Sequence, residues 1–272
     1  MNPDTQKILS IAVTVLLLGG VGFYIYKDLG STPEMMSATP MLQTTGTSTP
    51  SNNQSNAGAL PEIAVNTSAT QKPNFPHPDL DHKVLFSSDF PVEAKDIMRG
   101  KITDLQNILK KDPTAVNSWI GLGIRYKESG DYLAARDAWV YAAALAPENS
   151  ILYYNLGILY RDYLKDYPKS EQNFLEAIKL FPGYPQTYEE LADLYIYSYK
   201  QHTTAALDIL MQGAKAVAGD INLLAKLGRY YRDAKNDSVN AKVYLEQARK
   251  AAVAAGNSQL ASDFQSEIDA LK

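Results

Sequence analysis

A unit of about 34 residues recurs along the later part of this 272-residue chain, and it limits the possible folds more than any other feature. Its cleanest copy is Val116–Asn149. There Trp119, Leu122, Gly123, Tyr126, Ala135, Trp139, Ala142 and Pro147 fall at the spacing W-x2-LG-x2-Y-x8-A-x3-W-x2-A-x4-P. Leu122 and Tyr126 share one side of a first helix, and Ala135 and Trp139 form the answering stripe on a second. Gly123 beside Leu122 lets the second helix approach closely. Pro147 ends that helix, because proline cannot continue the hydrogen-bond ladder. A two-helix unit of this size cannot bury its apolar face alone, so its copies must stack.

The second copy carries Tyr153, Leu156, Gly157, Tyr160, Phe174, Ala177 and Pro182. The third carries Tyr188, Leu191, Ala192, Tyr195, Ala206, Leu210 and Gly213, and the fourth Leu224, Leu227, Gly228, Tyr231, Ala241, Leu245 and Ala248. The spacing predicts repeats over 116–149, 150–184, 185–220 and 221–256. The later copies are slightly longer. Their extra residues fall between the two helices, around Lys165–Tyr167, Tyr199–His202 and Lys235–Asp237, so these turns are expected to project from one edge. Tyr126, Tyr160, Tyr195 and Tyr231 recur at one place and read as packing residues, as do Trp119 and Trp139. Five other tyrosines, Tyr163, Tyr167, Tyr184, Tyr197 and Tyr199, lie off the repeating core. They read either as a recognition surface or as packing within the lengthened turns.

Residues 90–115 predict a capping helix or a degenerate repeat. Ser88 or Asp89 is expected to cap it, Pro91 suits its first turn, and Ile97, Ile102, Leu105, Ile108 and Leu109 form its stripe. Residues 257–272 predict a closing helix with Leu260, Phe264, Ile268 and Leu271 on one face. Such an end, apolar inward and charged outward, keeps a stacked array soluble.

At these repeating residues the chain resembles the tetratricopeptide repeat (TPR) family, over roughly Val116–Gly256. The resemblance implies an all-α helix–turn–helix solenoid of about four repeats with capping helices. It implies no enzyme, and a concave groove, lined by the first helices, that holds a protein or peptide. Carried over residue by residue, the groove is Asn117, Ile120, Ile124 and Lys127 in the first copy, and Ile151, Tyr154, Asn155, Ile158 and Arg161 in the second. Glu189, Asp193 and Tyr197 follow in the third, and Arg229 and Arg232 in the fourth. A bound peptide would set apolar side chains near Ile120, Tyr154 and Ile158 and its backbone against Asn155. Arg161, Arg229 or Arg232 would take a carboxylate. TPR proteins that bind chaperones use a clamp of Lys, Asn and Arg. Here Ile120, Ile124 and Glu189 stand where clamp residues are expected and Asn155 alone fits, which argues against an acidic chaperone tail.

The N-terminal third differs in kind. After a short segment, 1–7, Ile8–Tyr26 is uncharged and mostly apolar, and as a helix it would span roughly 28 Å, close to a bilayer's hydrocarbon thickness. Residues 8–27 are therefore expected to be an uncleaved transmembrane signal-anchor, with a cleaved signal peptide as the competing reading. Residues 28–89 predict a disordered tether rich in Ser, Thr and Pro, with short apolar islands at Leu60–Val65 and Phe75-Pro76. Lys7 on one side and a tether nearly free of positive charge on the other place the N-terminus in the cytoplasm and the repeats outside.

The net charge of −4 offers no basic face for nucleic acid. There is no cysteine, and no Gly-rich phosphate loop, G-x-S-x-G turn or H-E-x-x-H helix. Only His77-Pro78-Asp79-Leu80-Asp81-His82 gathers possible metal ligands, and it reads as an acidic linker end, so no metal or cofactor is expected. The expected function is a single-pass, membrane-anchored scaffold that binds a partner protein or peptide in its groove. One alternative is a structural or self-associating part of a cell-envelope assembly, such as secretion, pilus or division machinery. A more distant one is a carbohydrate- or metal-binding module. The sequence leaves the oligomeric state open.

Overall fold

The computed structural model of the chain describes residues 73 and 75–271. The expected transmembrane helix at 8–27 and most of the expected tether lie outside the described residues. Among the described residues there are ten α-helices and no strand, and no helix is long and apolar enough to cross a membrane. A 3-10 turn at Val92–Ala94 leads into α1, Lys95–Lys111. Four antiparallel hairpins follow. They are α2 (Val116–Ser129) with α3 (Tyr132–Leu145), and α4 (Ser150–Leu159) with α5 (Tyr167–Leu180). Then come α6 (Pro185–Tyr197) with α7 (Ala205–Ala216), and α8 (Ile221–Lys235) with α9 (Ser238–Ala254). A last helix, α10 (Ser258–Asp269), closes the array.

Local chemistry sets these boundaries. Asp131, Asn149, Asp166, Asp220, Asp237 and Asn257 each stand at a helix N-cap and accept a backbone N–H of the first turn. In the second hairpin the extra residues form a π turn, Tyr160–Leu164, and Lys165 then takes a left-handed conformation. Lys200, His202 and Asn236 do the same in the next two inter-helix turns.

Each first helix accepts its second helix at a residue with little or no side chain. A Cβ on Gly123 would lie 2.3 Å from the Trp139 indole, and one on Gly157 would lie 2.6 Å from the Phe174 ring. Trp139 Nε1 donates to the Ile120 carbonyl at 3.1 Å, and Ser170 Oγ to the Gly157 carbonyl at 2.8 Å. A second motif joins hairpin to hairpin. Trp119 Nε1 donates to the Pro113 carbonyl, and Tyr188 Oη donates to the Pro182 carbonyl. Pro113 therefore ends α1 as Pro182 ends α5, and α1 occupies the place of a second helix. Trp119, Trp139, Tyr188, Phe174 and Phe264 are fully buried.

Three expectations about the array's N-terminal edge are corrected. The tether was expected to run to residue 89, yet the chain from Phe75 onward lies as an extended strap on the first hairpin. Leu80 is only 5% exposed. Asp131 receives both the His82 ring and the Leu85 N–H, Ser87 N–H donates to the Ser129 carbonyl, and Lys110 pairs with Asp81. Phe75 and His77 set their rings against Tyr141. The strap is held mainly by backbone and single side-chain contacts, which leave no periodic pattern in sequence. Next, neither Ser88 nor Asp89 caps the first helix, because Pro91 stands at the start of a 3-10 turn that makes no side-chain cap bond. Finally, Ile97 and Ile108 face outward. Gln106 takes the inward place in the stripe, donating to the His82 carbonyl and the Tyr126 hydroxyl. That buried hydroxyl is pushed up to about 12, chiefly by desolvation.

Candidate binding groove

The first helices α2, α4, α6 and α8 lie in sequence along one face, with α10 beside α8. Their groove-facing residues divide into two halves. On α2 and α4 the lining is apolar. Ile120 and Ile124 lean on the core of the first hairpins, and Tyr154 and Ile158 lean on that of the next. Ile151 stands out at 61% exposure. Tyr154 sets its ring edgewise to Tyr184 at 5.6 Å, and burial raises its hydroxyl pKa. Asn155 is half-buried in the same stretch and Asn117 is exposed at its rim. Lys127 holds its ammonium 5.8 Å from the Tyr163 ring centroid.

The other half is ionic, and its charges are already matched between neighbouring helices. Arg161 lies in the π turn, which aims its guanidinium at α6, where it meets the Glu190 carboxylate and the Glu190 carbonyl. Asp193 on α6 takes Lys226 of α8 at 2.6 Å. Arg229 and Arg232 of α8 both grip Glu267 of α10, at 2.6 and 2.9 Å. The Arg229 hydrogen bond, followed by that of Arg232, holds the Glu267 carboxyl below its usual range. Arg161, Arg229 and Arg232 were expected to take a ligand's carboxylate; in the structure each holds a carboxylate of this same chain. Glu189 is different: its Oε1 is buried without a hydrogen-bond partner, and desolvation raises its carboxyl pKa. Tyr197 is 71% exposed.

Two members of the ionic half, Glu190 and Lys226, were missed in the sequence. Their signal was present. Each sits two residues before the small residue of its repeat, Ala192 or Gly228, which is the place Asn155 holds before Gly157. Glu267 carried no such signal, because α10 has no repeat pattern to align. The off-core tyrosines mostly serve packing. Tyr163 stacks on Tyr132 at 4.3 Å, Tyr167 approaches Tyr199 at 6.4 Å, and Tyr184 sits between Tyr154 and Phe181. His82 is spent on Asp131 and His77 on the Pro78 carbonyl. Among the described residues no three His, Asp or Glu side chains come together as metal ligands.

No family model matches the chain, and no curated protein matches it. Solved structures do. The MamA crystal structure is 21% identical, with a TM-score of 0.50, and the match covers 63% of this chain and 99% of that one. YrrB, described as a TPR protein with an unusual peptide-binding site, is 17% identical over 64% of this chain and 87% of its own, at a TM-score of 0.46. PilF of Pseudomonas aeruginosa is 16% identical over 65% and 90%, also at 0.46. At these identities the likeness is one of fold. The described part of the chain is an all-α solenoid of stacked helical hairpins.

Proposed function

We propose that this protein is a membrane-anchored interaction scaffold that holds a segment of a partner protein in the groove of its first helices. One observation supports this above the rest. Apolar side chains of α2 and α4, half-buried at Ile120, Ile124, Tyr154 and Ile158 and largely exposed at Ile151, share the face of the first helices. Exposed apolar surface of that kind on a rigid array suits partner recognition.

The anchor belongs to this proposal on the sequence of Ile8–Tyr26 alone, with the N-terminus cytoplasmic and the solenoid outside. Fractionation and protease accessibility test it. The full chain is expected to sediment with membranes and resist alkaline extraction, and its repeats to be digested by protease added to the extracytoplasmic side. Release by alkali, or protection from that protease, would refute the anchor or the orientation respectively.

A further inference from the structure

We infer that the groove selects an apolar partner segment free of carboxylates, and that its arginines and Lys226 are structural ties, not ligand receivers. The inference rests on the groove reading above and adds the chemistry of the ligand. Every guanidinium on the groove floor, together with Lys226, already has a carboxylate of a neighbouring helix. Arg161 has Glu190, Lys226 has Asp193, and Arg229 and Arg232 share Glu267. An incoming carboxylate would have to displace one of these and leave an internal acid unpaired. It would also meet α6, which carries Glu189, Glu190 and Asp193 and where Glu189 Oε1 is buried without a hydrogen-bond partner. Like charge at that range repels, and partial burial strengthens the repulsion. Lys127 is the one groove cation outside these pairs among the described residues, and it rests over the Tyr163 ring.

The apolar half presents the opposite balance. Ile120, Ile124, Ile158 and Tyr154 are already half desolvated by the core beneath them. Covering them, and the exposed Ile151, removes further apolar surface from water with no charge to strip. The occupant is therefore a short stretch of Leu-, Val- or Phe-type side chains, neutral or carrying a cation toward α6.

The test uses the full chain and two fluorescent peptide pools of about twelve residues, read by anisotropy. One pool draws on Leu, Val, Phe, Ser and Gly. The other draws on the same residues but ends in Asp and Glu. The apolar pool is expected to bind with little change between about 0.05 and 0.5 M salt. Ile151→Asp and Ile158→Asp are expected to weaken it about tenfold or more. Arg229→Ala and Arg232→Ala are expected to stay within about threefold. Ile151 is exposed, so its variant folds even if that of Ile158 does not; circular dichroism checks both. If the acidic pool binds, and loses affinity with salt and with Arg229→Ala, the ligand class is wrong while the groove stands. If the apolar pool fails to bind, or binds with no response to Ile151→Asp, the groove itself is the wrong surface and both readings fall.

Discussion

Individual residues carry the packing with little slack, and the small residue beside the first-helix leucine is the tightest place. At Gly157 an added Cβ would sit 2.6 Å from the Phe174 ring, and that ring is fully buried. Neither partner has room to yield. Gly157→Ala is expected to cost about 1–3 kcal/mol, which lowers the melting temperature by several degrees at roughly 2–4 °C per kcal/mol for a domain of this size. Gly100 is the control. It lies within α1 with nothing within 4 Å of its would-be Cβ, so Gly100→Ala is expected to be neutral or to stabilise by about 0.5–1 kcal/mol. Equal effects at the two glycines, measured by thermal unfolding, would contradict this packing. This part of the fold was legible in the sequence. The requirement for a residue without bulk repeats as Gly123, Gly157, Ala192 and Gly228, and one steric cause recurs in each hairpin.

Among the elements, the strap is what the sequence concealed. Composition reads Phe75–Asp89 as the end of a polar linker, because it holds few apolar residues and no period. Yet Leu80, a few ring and side-chain contacts and a handful of backbone bonds dock it, and Asp131 receives the strap's Leu85 N–H and His82 ring while also capping α3. Leu80→Ala is expected to cost about 2 kcal/mol, and Asp131→Ala a similar amount through the lost cap and the strap bonds. Trypsin reports the docking directly. Cleavage after the exposed Lys83 is expected to be slow in the wild-type chain and several-fold faster in either variant. An unchanged rate in both would mean the strap is not held as described. The inward turn of Gln106 in α1 escaped the sequence for a related reason. A polar residue reads as exposed until its hydrogen-bond partners, here in the strap and in Tyr126, are known.

At the scale of the whole molecule, stacking follows from sequence because each hairpin repeats the same unburied stripe. The ties between hairpins do not. Arg161 reaches 29 residues along the chain to Glu190, Lys226 reaches 33 back to Asp193, and Arg229 reaches 38 ahead to Glu267. Such pairs depend on the register of one helix against the next, which no single repeat encodes. Their presence changes the character of the groove. A row of basic residues that sequence presents as open to a ligand becomes part of the scaffold, and in the reading proposed above recognition passes to the apolar residues of α2 and α4.

Site-specific photo-crosslinking in the cells that make this protein tests that assignment most directly. A benzophenone side chain would be placed in turn at Ile151, in the groove on α4, and at Leu175, exposed on the second helix α5. A discrete partner adduct from position 151 and none from position 175 is the expected result. An adduct from position 175 with none from position 151 would show that the partner sits on the second helices, and the groove would lose its role.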